Sequence, residues 1–85
     1  MVNKSLQWCH ENKCKKFEAI FNNDGQQLDV DFRWKGYFVS LEIDTKTDLT
    51  NMTIIKNGKV VNEFGLPYHL CFTVLDKMKT HRGIY

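Results

Sequence analysis

The stretch Leu28–Ile43 constrains the fold more than any other part of the chain. Leu28, Val30, Phe32 and Trp34 alternate with polar residues, and so do Tyr37, Val39, Leu41 and Ile43. A side-chain period of two belongs to strands with one buried face. Only Lys35-Gly36 separates the two runs, so they predict antiparallel strands joined by a tight hairpin. Asn57-Gly58, between Met52–Ile55 and Val60–Phe64, is a second hairpin signal. Cys14–Phe21 reads as a further strand with Phe17, Ala19 and Phe21 on one side, and Asn22-Asn23-Asp24-Gly25 supplies turn chemistry after it. Asp44–Thr50 reads as a polar connection, and Asn3–Asn12 is compatible with a short helix or a strand.

Gly65-Leu66-Pro67 is expected to break the sheet, with Pro67 in the first turn of a helix. From Tyr68 onward, Cys71, Val74, Leu75 and Met78 recur at helical spacing. Lys79, His81 and Arg82 suit the negative end of that helix, and Gly83 can stop it. The sum is one α+β domain over residues 1–85, an antiparallel meander of about five strands covered on one face by the C-terminal helix. The helix stripe is expected on Val30, Phe32, Val39 and Leu41. Pairing across Asn57-Gly58 sets Ile54 and Val61 on one face and Ile55 and Val60 on the other. Both faces are therefore expected to be partly buried there, the second by the N-terminal segment or by another subunit.

At 85 residues and 42% hydrophobic, the chain can build a core of modest stability, which a homodimer would enlarge. No leader-like or membrane-spanning apolar run is present, so the expected location is the cytoplasm, with no membrane partner and the three cysteines reduced.

Net charge is only +2, but it is sorted along the chain. Residues 1–17 carry Lys4, Lys13, Lys15 and Lys16 against Glu11, a balance of +3. Residues 56–85 carry Lys56, Lys59, Lys77, Lys79 and Arg82 against Glu63 and Asp76, again +3. The centre carries Arg33, Lys35 and Lys46 against seven carboxylates, giving −4. Basic ends around an acidic centre point to a polyanion or a charged protein surface as partner.

Metal and enzyme chemistry find little footing. Cys9, His10, Cys14, His69 and Cys71 are candidate zinc ligands by type, but the Cys9–Cys14 separation is wider than a zinc knuckle and Cys71 belongs to the apolar stripe. No cysteine or serine stands in a recognisable nucleophile motif, and His10 and His81 read as surface histidines. The expectation is a protein without catalytic residues, metal or cofactor.

The outer face of the central hairpin is more informative. The pairing sets Arg33 opposite Phe38, Asp31 opposite Ser40, and Asp29 opposite Glu42, the last a like-charge pair. Phe38 is expected to be exposed there. Lys35-Gly36-Tyr37-Phe38-Val39 is one residue short of an RNA-recognition submotif, which sends Tyr37 and Phe38 to opposite faces.

The segment Phe32-Arg33-Trp34-Lys35-Gly36-Tyr37-Phe38-Val39-Ser40-Leu41-Glu42-Ile43 resembles the first hairpin of the positive-cofactor-four family of single-strand nucleic-acid binders. The resemblance spans Leu28 to about Met78. It implies four antiparallel strands and a helix, dimerisation, and binding through Arg33, Lys35 and Phe38, with Lys56 and Lys59 contributing from the second hairpin. The family's basic Pro-Gly turn is absent, Lys56-Asn57-Gly58-Lys59 being a partial stand-in, and an extra N-terminal strand is present. In size and lack of enzymatic motifs, the chain is also similar to small accessory proteins that tailed phages direct at host enzymes and defence systems.

The first functional expectation is a small non-enzymatic nucleic-acid-binding protein that prefers single strands or RNA. Lys13, Lys15, Lys16, Arg33, Lys35, Lys56 and Lys59 would contact phosphates, and Phe38 would stack a base. The alternative is a protein-interaction inhibitor of a host enzyme or toxin, phage-encoded and acting on an RNA-associated target. Its acidic central face would then mimic nucleic acid or mask a basic site.

Overall fold

The computed structural model describes residues 1–80. Their elements are α1 (Val2–Glu11), β1 (Lys15–Asn22), β2 (Gln27–Trp34), β3 (Tyr37–Asp44), β4 (Leu49–Lys56), β5 (Lys59–Pro67) and α2 (Tyr68–Thr80). The strands lie in sequence order in one sheet, each antiparallel to the next. This is the meander with a C-terminal helix expected from the sequence, with an N-terminal helix in addition.

The central hairpin follows from its alternation. Leu28 pairs with Ile43, Val30 with Leu41, Phe32 with Val39 and Trp34 with Tyr37, so one side is continuously apolar. Lys35 (φ 52°) and Gly36 (φ 80°) are consecutive left-handed residues, and so are Asn57 (φ 53°) and Gly58 (φ 75°). That backbone matches the twist of two-residue hairpins.

A five-stranded sheet is too wide for one helix, because strands lie ~4.8 Å apart and a helix is only ~10 Å across. Both helices therefore pack side by side on the apolar face, α1 over β1 and β2, and α2 chiefly over β4 and β5. The expected seat of α2 on Val30, Phe32, Val39 and Leu41 is corrected accordingly. Trp8 of α1 joins the layers, with its ring 5.9 Å from Phe32, 5.3 Å from Trp34 and 5.5 Å from Phe72.

Other local expectations also change. Asn3–Asn12, compatible with helix or strand, is largely helix, and the extra N-terminal strand is β1. The sheet does not break at Gly65: Gly65, Leu66 and Pro67 pair with Asn51, Thr50 and Leu49. Pro67 is tolerated because β5 is an edge strand. A register shift between Ile54 and Ile55 pairs Ile54 with Asn62, which removes Val61 from its side and leaves it 44% exposed. In β1, Phe17 and Ala19 pack against the core, whereas Phe21 is 57% exposed. The second face of the sheet is covered by neither helix. His81, Arg82 and Gly83, assigned above to the end of α2, lie outside the described residues.

Bulges in both edge strands, with Lys15 and Lys16 on β1 and Lys59 and Pro67 on β5, blunt the free edges. No helix among the described residues is long and apolar enough to cross a membrane.

Candidate nucleic-acid interface

An antiparallel meander returns alternate connections to the same end. The α1–β1 connection, the β2–β3 turn, the β4–β5 turn and the last turn of α2 all share one end of the sheet. That end collects Lys13, Lys15, Lys16, Arg33, Lys35, Lys56 and Lys59, all exposed, together with Phe38. All eight residues singled out from the sequence thus share that end, Lys15, Arg33 and Phe38 on the open side of the sheet and Lys56 and Lys59 on the helix side by register. Lysines from both basic stretches meet there, except Lys4, which lies at the opposite end over the Tyr68 ring; Arg82 lies outside the described residues.

Each lysine has a definable local setting. Helix α1 ends in a Schellman arrangement, with the Cys14 amide donating to Cys9 O at 2.9 Å and the Lys13 amide to His10 O at 3.4 Å. Lys13 occupies the left-handed position (φ 58°), where glycine is usual. Lys16 (φ 56°) lies in the β1 bulge between the pairs Lys15–Arg33 and Glu18–Asp31. Lys35 opens its hairpin turn in the same conformation. Among the described residues, the other left-handed positions outside glycine are Asn23, Asp24, Asp48 and Asn57. Asn and Asp tolerate this backbone because their short side chains bond locally; lysine has no such compensation.

Two open depressions flank the β2–β3 turn, and four of the cations line them. Lys13, Lys15, Arg33 and Lys35 line the first, above a floor of Trp34 and Tyr37. Lys35 Nζ stands 5.4 Å from the Trp34 ring and Lys56 Nζ 5.1 Å from the Tyr37 ring, in cation–π range. Both rings are buried, so they back the lysines rather than offering a stacking surface. The buried Trp34 indole Nε1 has no hydrogen-bond partner among the described residues. Arg33 also lines the second depression, with Phe38, Ile55, Asn57 and Gly58. Lys16, Lys56 and Lys59 line neither.

Phe38 is half-buried rather than freely exposed, because Ile55 pairs beside it and the Arg33 guanidinium stands 5.9 Å from its ring. Sequence reasoning left out Lys79 and the two backing aromatics. Lys79 reaches this end but bonds Asn12 Oδ1 at 2.9 Å and pairs with Asp76 at 3.4 Å. The spacing of Trp34 and Tyr37 around Lys35 carries a signal for the floor, since residues flanking a two-residue turn pair directly.

The candidate zinc ligands do not assemble. Cys9 and Cys14 are adjacent at the end of α1, while His69 pairs with Asp48 at 3.7 Å at the opposite end and Cys71 is buried in α2. Among the described residues, no group of three or more His, Cys, Asp or Glu could hold a metal ion. Burial raises all three thiols, Cys71 to about 11, and the neighbouring Cys14 raises Cys9 further. Neutral, shielded thiols are poor nucleophiles. No family model, curated protein or solved structure matches the chain.

Proposed function

We propose that the protein binds single-stranded nucleic acid or RNA in the cytoplasm, without catalysis, through phosphate contacts at the basic end. The observation that carries this reading is the use of lysine at left-handed backbone positions. Lys13, Lys16 and Lys35 all occupy them, and all three lie at the end where the other cations gather. Each costs the fold about 1–2 kcal/mol that glycine would avoid, and strain retained at clustered surface positions is a mark of function.

Exposed lysines on flexible stems suit a backbone whose phosphates need no fixed orientation. Arg33 beside Phe38 offers one place where a base could stack against a ring edge and a guanidinium plane. The resemblance to the positive-cofactor-four family points the same way, although this chain has five strands and a helix before them. The reading is tested by titrating the protein with a fluorescent single-stranded oligonucleotide across a salt series. Binding that weakens steeply with salt, and similarly for unrelated sequences, supports it. Absence of binding at low salt refutes it.

A further inference from the structure

The open face of the sheet is a broad surface that the nucleic-acid reading uses only at one end, through Lys15, Arg33 and Phe38. Both helices pack on the opposite face, so residues alternating away from the core stand uncovered. By register these include Glu18 on β1, Asp29 and Asp31 on β2, Glu42 and Asp44 on β3, and Glu63 on β5. The cations on the same side, Lys15 and Arg33, lie at its basic edge.

These carboxylates are poorly compensated. Glu18 is directly opposite Asp31, and Asp29 directly opposite Glu42. Like charges so placed destabilise a sheet. The ion pairs described for the protein, His69–Asp48 and Lys79–Asp76, lie elsewhere. Asp29 receives help from the side-chain amides of Asn22 and Gln27, and Asp44 from the backbone amides of Lys46 and Thr47. The same face also exposes apolar side chains, with Ile20 49%, Leu49 58% and Val60 57% accessible.

We propose that this face docks a protein whose contact surface is basic at its centre with apolar side chains toward its margin. The carboxylates are spread over a sheet rather than gathered around a point, and no group of them among the described residues could hold a metal ion. Nucleic acid is repelled by them. A basic protein surface would relieve the like-charge pairs, and the exposed aliphatics would add contact area. Five strands of eight or nine residues present ~600 Å² at ~3.3 Å per residue and ~4.8 Å per strand, close to the ~800 Å² that each partner of a standard interface contributes. The proposal rests on register and exposure, not on the nucleic-acid reading, and the two can fail separately.

The test is an amide NMR titration at low salt with two probes of equal charge, an oligoarginine peptide and a peptide alternating arginine with leucine. Shifts should concentrate on Glu18, Ile20, Asp31, Glu42 and their neighbours, and the leucine-containing probe should bind about tenfold more tightly. The double variant Asp31→Asn/Glu42→Gln loses no described hydrogen bond and should fold. It should bind that probe about tenfold more weakly while binding a single-stranded oligonucleotide at least as well as the native protein. Shifts centred on the Asp24 and Asp48 turns would overturn the proposal, as would equal probe affinity in the variant. So would sedimentation showing the face occupied by a second copy of the chain.

Discussion

The indole Nε1 of Trp8 donates a 3.0 Å hydrogen bond to Asp76 Oδ1, tying the N-terminal helix to the last turns of the C-terminal one. Trp8 is also packed against Phe32, Trp34 and Phe72. Replacing Trp8 by Ala should therefore cost about 3–5 kcal/mol, and Asp76→Ala about 1 kcal/mol. Urea denaturation checks both, through a lower midpoint at unchanged slope. A Trp8→Ala midpoint equal to the native one would mean that α1 is not part of the core.

The stripe of α2 makes a graded prediction. Leu75 is fully buried and Val74 only partly. Leu75→Ala should cost about 2–5 kcal/mol and Val74→Ala clearly less. Equal losses at the two positions would contradict the orientation of the helix.

The elements that were legible in the sequence are those whose pattern is local. Alternation placed β2 and β3, and two dipeptides placed their turns, because pairing across a two-residue turn admits one register. Helix α1 was illegible because its buried stripe is Ser5, Trp8 and Cys9, while its most apolar residue, Leu6, is 48% exposed. Ser5 is buried because its hydroxyl meets Tyr68 Oη at 2.6 Å and donates to Met1 O, partners that no spacing announces. Phe72 was missed for a related reason: it faces Trp8, so it joins the stripe only once α1 is in place. The bulge that displaces Val61 has no residue signature either. For the candidate site, the cations were legible as a charge bias, but their convergence depends on which turns share an end. The left-handed backbone at Lys13 and Lys16 came only from the structure.

The buried thiols set the alkaline limit of stability. Burial raises Cys9, Cys14 and Cys71, the last to about 11 from 9.0, and raises the Tyr68 phenol. In each case the unfolded chain loses its proton at lower pH than the folded one. The stabilisation is complete below the unfolded value and is lost as pH rises toward the folded value. Thermal melts should therefore show Tm falling from about pH 9 to about pH 11, and all three thiols should resist alkylation at neutral pH. A Tm that rises across that window would contradict the burial of these groups.

Phe38 tests the stacking component separately from charge. Phe38→Ala should weaken binding of a single-stranded oligonucleotide by about 1–3 kcal/mol. Because the ring is half-buried against Ile55 and Arg33, the variant should also lose measurable fold stability. Unaltered affinity in a folded variant would leave phosphate contacts alone as the binding mode.

The most direct test of the central claim is the salt dependence of single-strand binding by the triple variant Lys13→Gly/Lys16→Gly/Lys35→Asn. These substitutions relieve the left-handed strain, offset at the two glycine sites by about 0.5–1 kcal/mol of added unfolded-state entropy, so stability in urea should be retained or should rise by up to about 1 kcal/mol per site. If the three lysines neutralise phosphates, affinity should fall and the log–log salt slope should become shallower by about 2, at ~0.7 per phosphate on a single strand. A variant that binds with the native affinity and slope would contradict the assignment of these lysines to nucleic acid.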